Sequence, residues 1–334
     1  MKNSIIELYR FCGAIVIVFH HGFIFGERLY FDTGWIFVEF FFLLTGYFTA
    51  KHFNNMDNIE VENIPQVAVK YSLRKIYRTT LYAWIGIFIG FVALLVKPSS
   101  GDINIVTLIA SIPVNLLFLG GTDLGSGLYN FNSPLWFISN ILIFLPIIIV
   151  YMYKMKNLYI YIFSWIIPLA LYSYNLEHIG MSITWDVSHM LYFRSIADLM
   201  LGTFLFYVVK WVQKANIKVM RNISLLPVSL VIFIIYILGS IFIDMKGTTI
   251  SFSLILFTFL VLLITLLVDD KIPKQVDKVF TELGSLSLPI YCMHFPIMQL
   301  VQFSGIITDY VFKGVISIII AIGITYILRY VKLV

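Results

Sequence analysis

Residues 4–25 read SIIELYRFCGAIVIVFHHGFIF, an apolar segment long enough to cross a bilayer as a helix. Arg10, His20 and His21 lie within it. Ionisable groups at membrane depth are costly to bury, so they usually mark function. Eleven positions of helix place Arg10 and His21 roughly 20° apart on one face and ~16 Å apart along the axis, whereas His20 points about 100° away. One face of this segment therefore carries a cation near one membrane surface and a histidine near the other.

The composition of the whole chain is that of an integral membrane protein. Of its 334 residues, 60% are hydrophobic and only 12% are charged, about half the charged fraction of an ordinary soluble domain. The segments of about ten alternating residues that mark an outer-membrane barrel are absent. Apolar runs cover residues 5–26, 32–50, 79–96, 133–153, 158–174, 191–211, 223–243, 249–268, 284–304 and 311–330, and a weaker run covers 103–120. The sequence predicts an all-α polytopic membrane protein with about ten transmembrane helices, forming a single domain over 1–334 with no separate soluble domain.

The placement of positive charge orients these spans, because lysine and arginine accumulate in cytoplasmic loops. Suppose that the N-terminus is inside and that 103–120 does not cross. The basic residues left in outer loops are then only Arg28, Lys97, Lys246 and Lys313. If 103–120 does cross, the strongly basic loops near 210–221 and 271–278 move outside. We therefore expect both termini in the cytoplasm and 103–120 as a re-entrant or surface segment. The net charge of +5 then follows from the cytoplasmic loops and requires no nucleic-acid partner.

Four stretches of the chain carry motifs of a known family. The first is Arg10 with His21, and the second is the run VEFFFLLTGY at 38–47, which contains Glu39. The third is the basic run LRKIYR at 73–78, and the fourth is YCMHFP at 291–296. In this order, the chain resembles the acyltransferase-3 family of membrane acyltransferases, of the polysaccharide O-acetyltransferase type. It departs from the family pattern in having threonine where serine is usual in the second motif and no proline after the third.

The resemblance implies both the reaction and its setting. Family members are ten-helix enzymes that move acetyl or other acyl groups onto sugars outside the cytoplasm. We expect an O-acetyltransferase of the bacterial plasma membrane that uses acetyl-CoA as donor. The expected acceptor is a glycan hydroxyl on a capsule, an exopolysaccharide or a lipid-linked sugar. Whether the chain forms a homo-oligomer is left open.

His21 and Glu39 are the predicted catalytic residues. At 1.5 Å per residue they lie at similar depths, within about 5 Å along the membrane normal. A carboxylate can fix the tautomer of an imidazole and stabilise its cation, and a neutral histidine is a good general base near pH 7. We expect His21 to take the proton of the acceptor hydroxyl while Glu39 orients it. The alternatives are a covalent acetyl-histidine relay and a merely structural polar pair between helices.

The predicted donor-binding residues are Arg10, Arg74, Lys75 and Arg78, which lie at the cytoplasmic side and could bind the phosphates of coenzyme A. They could also be ordinary interfacial anchors. Trp136, Tyr291 and His294 are the predicted substrate-binding residues, with an interface tryptophan and a core histidine as the simpler interpretations.

The histidines have no close metal-ligand spacing, so we expect no metal site. A different class of protein also fits the polar residues of the spans. In a transporter or exporter of a sugar or lipid-linked substrate, Arg10, Glu39 and His21 would line an ion pathway. Discontinuous helices in paired halves would support that interpretation, and the sequence has no such pairing.

Overall fold

The computed structural model describes residues 3–22, 31–54, 56, 60–97, 103–179, 188–215, 224–243, 248–269, 272–305 and 309–333. Within these residues the chain consists of helices and loops, with no β-strand. The helices are α1 (Ser4–His21), α2 (Ile36–Asn54), α3 (Ile64–Val96), α4 (Ile105–Leu116), α5 (Trp136–Leu158), α6 (Ser164–Ile179), α7 (Ser188–Ala215), α8 (Leu225–Phe242), α9 (Thr248–Leu267), α10 (Lys274–Phe303) and α11 (Tyr310–Tyr330).

The predicted all-α polytopic fold is confirmed. Each of the ten strong apolar runs coincides with one long helix, and the weak run coincides with the short α4. Seven helical segments of the described chain are long and apolar enough to cross a membrane. One of the seven, Ser133–Tyr174, spans 42 residues and contains both α5 and α6. The exact number of crossings and the orientation of the termini stay predictions, and Arg28 and Lys246 lie outside the described residues.

A sharp break near Lys156 separates α5 from α6. Lys156 has φ 37° and ψ −110°, which interrupts the helix, and a single π-helical turn follows at Tyr159–Phe163. The rings of Tyr151 and Phe163 stack with centroids 5.5 Å apart, whereas twelve residues of straight helix would separate them by about 18 Å. The chain therefore bends sharply near Lys156, where the sequence predicts a short basic loop between two spans.

α4 is too short to span the bilayer on its own. Its 12 residues extend only about 18 Å, against roughly 30 Å of hydrocarbon. Asn115 ties it to the following loop, because its Nδ2 donates to the carbonyl of Tyr129 at 2.8 Å and its Oδ1 accepts from the N–H of Phe131 at 3.0 Å. This length fits the expectation that 103–120 is re-entrant or lies at the surface.

Two helices form the centre of the bundle. α10 packs along α1, α3 and α11, and α2 packs mainly along α7. Glycines permit α2 and α7 to approach closely: a Cβ at Gly46 would lie 2.1 Å from the carbonyl oxygen of Leu199, and one at Gly202 would lie 2.2 Å from that of Leu43. Backbone-to-backbone packing through small residues is the usual way in which membrane helices associate. The side chains of the candidate site project from these helices.

Candidate active site

Two histidines from separate helices meet near the end of α1. His21 is the last residue of α1, and His294 lies in α10. His21 Nδ1 and His294 Nε2 are 2.8 Å apart, and the two rings are nearly parallel, with an interplanar angle of 13°. α1 and α10 come this close because Gly284 of α10 lies against Glu7 of α1, where a Cβ would be 2.8 Å from the Cα of Glu7. The sequence placed both histidines in candidate roles but did not pair them.

The hydrogen bonds of His294 fix the tautomers of both rings. Its Nδ1 lies 2.8 Å from the carbonyl oxygen of Tyr291 and 3.1 Å from that of Ile290. Carbonyl oxygens only accept hydrogen bonds, so Nδ1 of His294 carries the proton and Nε2 has the lone pair. His21 must then donate from Nδ1 to that lone pair. In the neutral pair, Nε2 of His21 is left unprotonated, which is the form that a general base requires.

A proline explains why an irregular loop is attached to α10 beside His294. Pro296 has no N–H, so the carbonyl of Cys292, four residues earlier, lacks its helical partner. Asn132 Nδ2 donates to that carbonyl at 2.8 Å, and the Tyr291 hydroxyl donates to the carbonyl of Pro134 at 2.5 Å. The loop before α5 is thus held one turn from the histidine pair. The predicted substrate residue Tyr291 is 5% exposed and connects this loop to α10.

The four predicted donor-binding cations line one cavity. This cavity has a volume of about 730 Å³ and lies between α1, α2, α3, α5 and α10. Arg10, Arg74, Lys75 and Arg78 are joined there by Lys70. Its remaining wall includes aromatic and aliphatic side chains, and Tyr291 is part of it. Five cations around a cavity of this size suit an elongated polyanionic ligand, and Tyr291 brings the cavity within three residues of His294.

Arg10 combines a structural contact with access to the cavity. Its Nη1 donates to Glu7 at 2.8 Å, and 30% of its side chain is exposed. Arg10 and Lys75 are also near enough for their charges to repel each other. A guanidinium presents five N–H donors, so the Glu7 contact leaves others for an anionic ligand. An anion bound there would also relieve the repulsion between the two cations.

Glu39 binds a different partner from the one expected. Its Oε1 accepts from Nε of Arg194 at 2.9 Å and also from Nη2 of the same residue. Glu39 is fully buried, and Arg194 is 2% exposed. No hydrogen bond joins Glu39 to His21 among the described residues, because the carboxylate is engaged by the guanidinium and His21 by His294. The carboxylate that was expected to orient His21 is therefore part of a separate buried ion pair.

Trp136 and His20, which were also considered for the site, are buried as well. The ring of Trp136 lies 5.5 Å from Cζ of Arg194 and is 8% exposed, so the guanidinium occupies one of its faces. His20 bonds through Nδ1 to the carbonyl of Phe31 at 2.9 Å. Among the described residues, no three His, Cys, Asp or Glu side chains are arranged to hold a metal ion.

Comparison with known proteins gives one match. The family model of the acyltransferase-3 family, described as an acyltransferase domain, matches residues 3–330. Searches of curated proteins and of solved structures returned no match to the chain.

Proposed function

Because this chain belongs to the acyltransferase-3 family of membrane acyltransferases, we propose that it is an O-acetyltransferase with cytoplasmic acetyl-CoA as donor and an extracytoplasmic glycan hydroxyl as acceptor. The observation that carries the proposal is the arrangement of the site. A basic cavity reaches Tyr291, which lies one turn of α10 from His294. His294 in turn bonds to His21, whose Nε2 is unprotonated. In this proposal the cavity is the donor site and His21 is the base.

The basic cavity is suited to coenzyme A. The nucleotide end of acetyl-CoA carries phosphates, and arginine binds phosphate oxygens in a bidentate manner. Arg74, Lys75 and Arg78 lie towards the cytoplasmic end of α3 in the expected orientation, where soluble acetyl-CoA is available. Arg10 of α1 lines the same cavity. With the phosphates held by these groups, the extended pantetheine arm would carry the thioester past Tyr291 towards the histidines.

The acyl transfer then needs one proton carrier. Nε2 of His21 takes the proton of the acceptor hydroxyl as its oxygen attacks the thioester carbonyl. The carbon–sulfur bond breaks, and the departing thiolate of coenzyme A receives that proton from the imidazolium. The products are the acetyl ester and free coenzyme A, and His21 returns to its starting form. The same lone pair could instead attack the thioester and form an acetyl-histidine before the acceptor arrives.

His294 has the supporting role in this proposal. By accepting the Nδ1 proton of His21, it holds the ring in the reactive tautomer, as the buried carboxylate does in a hydrolytic triad. Its own Nδ1 is anchored by two backbone carbonyls, so it cannot readily exchange donor for acceptor. With His294 in this role, His21 needs no carboxylate as its own partner.

The test compares His21→Ala with His20→Ala in purified protein. Free coenzyme A released from acetyl-CoA is measured as new thiol, and acetyl-CoA binding is measured on the same samples. We expect His21→Ala to lose ~10²-fold or more in thiol release with donor binding retained, and His20→Ala to keep most of its activity. Normal thiol release by His21→Ala would contradict the base assignment. Failure of the parent protein to bind acetyl-CoA would favour the transporter alternative. Acetyl esters on the surface glycan of expressing cells, detected by NMR, test the acceptor.

A further inference from the structure

A second cluster of ionisable side chains is buried away from the histidine pair. Glu39 of α2 and Asp198 of α7 have no exposed surface, and Arg194 of α7 is 2% exposed. Tyr172 of α6 is 1% exposed and donates its hydroxyl hydrogen to Asp198 Oδ1. The cluster thus joins three helices, and none of its members has a part in the proposed acyl transfer.

Its charges do not balance if every group is ionised. Two carboxylates against one guanidinium leave a net negative charge in a part of the bundle that water does not reach. Moving an unpaired carboxylate out of water costs so much that buried groups generally become neutral instead. Tyr236 of α8 is a neutral phenol whose hydroxyl bonds to Thr258 and to the carbonyl of Ile36, so it adds no positive charge. Among the described residues, this excess of negative charge favours the binding of one proton by the cluster.

The unpaired oxygens of the two carboxyl groups indicate where a proton would bind. Arg194 engages Glu39 Oε1, and Tyr172 engages Asp198 Oδ1. The remaining oxygens, Glu39 Oε2 and Asp198 Oδ2, are buried without a hydrogen-bond partner, as is Nη1 of Arg194, and the two carboxyl groups are close enough to interact. Two carboxylate oxygens at this range would repel. A single proton between them satisfies both.

We propose that Glu39 and Asp198 form a proton-binding site, in which Asp198 is a neutral acid that donates from Oδ2 to the Glu39 carboxylate. Glu39 is the ionised partner because its Oε1 accepts two N–H groups of the guanidinium. Asp198 has only a neutral hydroxyl as its other partner. The bound proton makes the cluster electrically neutral. It also adds a hydrogen bond between α2 and α7 beside Arg194. It also means that Glu39 is unavailable to orient His21.

Amide substitutions imitate the protonated form of each carboxyl group. Asp198→Asn keeps a donor towards Glu39 and an acceptor for Tyr172, so we expect a melting temperature close to that of the parent. Asp198→Ala loses both contacts and should melt lower. Glu39→Gln retains one carboxylate in the cluster but weakens the bonds to Arg194, so it should lie between these two. The double variant Glu39→Gln with Asp198→Asn leaves the guanidinium uncompensated and should be the least stable by more than the sum of the single losses. Glu282→Gln, in the exposed ion pair with Arg329, is the matched control.

Infrared spectroscopy of the purified parent protein at neutral pH tests the proton itself, with no variant needed. We expect the carbonyl band of a buried carboxylic acid in the parent and in Glu282→Gln, and its loss in Asp198→Asn. The absence of this band from the parent would overturn the proposal. So would an Asp198→Asn variant as unstable as Asp198→Ala, or a double variant no less stable than Glu39→Gln. None of these readouts depends on acyl transfer, so they stand apart from the test of the proposed function.

Discussion

At the scale of single residues, the chemistry of the candidate site depends on which nitrogen of His21 carries a proton. That choice is made two contacts away, at the carbonyls of Ile290 and Tyr291 that bind Nδ1 of His294. A helix carbonyl cannot change from acceptor to donor, so the direction of the whole chain of hydrogen bonds is set by backbone geometry. Side chains that touch no substrate can therefore decide whether His21 acts as a base.

This dependence makes a testable distinction between two substitutions of His294. His294→Gln can still accept from Nδ1 of His21 through its amide oxygen, whereas His294→Phe fills the space without any acceptor. We expect His294→Phe to lower kcat by ~10²-fold or more, since a misplaced proton removes a base that contributes typically that much. His294→Gln should retain substantially more activity. The measurement is thiol release from acetyl-CoA at saturating donor.

Donor affinity serves as the control for these two variants. Neither substitution adds or removes a cation of the cavity, so acetyl-CoA binding should stay at the parent value in both. A His294→Phe protein that turned over at the parent rate would show that His21 does not need His294 to hold its tautomer.

A second prediction at this scale concerns the shape of a cation rather than its charge. Arg10→Lys keeps a positive charge in the cavity but loses the planar fork that binds phosphate in a bidentate manner. We expect acetyl-CoA to bind about tenfold more weakly, the equivalent of roughly 1.4 kcal/mol. Arg329→Lys is the control, because Arg329 bonds to Glu282 and Ser285 outside the cavity. Equal affinity of Arg10→Lys and the parent in isothermal titration would place the donor phosphates on other residues.

At the scale of helices, sequence reasoning succeeded where the physical rule is local. An apolar run of about 20 residues predicts a spanning helix, so each of the ten runs coincides with a long helix, although α3 and α10 begin well before their runs, and the weaker run at 103–120 corresponds to the short α4. The basic residues near Lys156 predicted a loop between two spans, and the helix is interrupted at that position. The position of Arg10 and His21 on one continuous helix was equally a local matter.

The partners of the polar residues could not be found in this way. Glu39 and Arg194 are 155 positions apart, and His21 and His294 are 273 apart. Helical periodicity states which way a side chain points within its own helix but not which helix it faces. Glu39 and His21 were paired from their similar depth alone. In the structure α7 packs against α2 and α10 against α1. Glu39 therefore pairs with Arg194, and His21 with His294.

Close packing of α2 on α7 leads to a third prediction. An added methyl group at Gly46 or Gly202 would meet the backbone of the facing helix at little more than 2 Å, and backbone cannot move aside as a flexible side chain can. Overpacking of this kind costs about 1–3 kcal/mol. We expect Gly46→Ala and Gly202→Ala to lower the melting temperature of the purified protein. Gly323→Ala, where a Cβ would meet nothing within 4 Å, should leave it unchanged or raise it. Equal melting temperatures of all three variants would show that α2 and α7 have room for an added methyl group at Gly46 and Gly202.

At the scale of the whole molecule, the proposed reaction requires a definite orientation in the membrane. Acetyl-CoA is available only in the cytoplasm, so the basic cavity has to open on that side and the end of α1 has to lie towards the other. The cations of the cavity all precede residue 103, and the later basic loops lie on the same membrane face as these cations only if 103–120 does not cross. The 12-residue length of α4 supports that condition. Sidedness is therefore the property of the molecule that connects the charge pattern to the chemistry.

The last prediction tests this sidedness with two single cysteines. Lys97 precedes α4 and Lys214 lies near the end of α7, and both positions are exposed. If α4 does not cross, the two positions lie on opposite sides of the membrane, with Lys97 outside. A membrane-impermeant maleimide should then label Lys97→Cys in intact cells and Lys214→Cys only after permeabilisation. The native Cys12 and Cys292 are replaced by serine and alanine to remove background. Labelling of both positions from outside would mean that α4 belongs to a crossing segment. The loops beyond it would then be inverted, and the cations of the cavity and the later cytoplasmic loops could no longer share one membrane face.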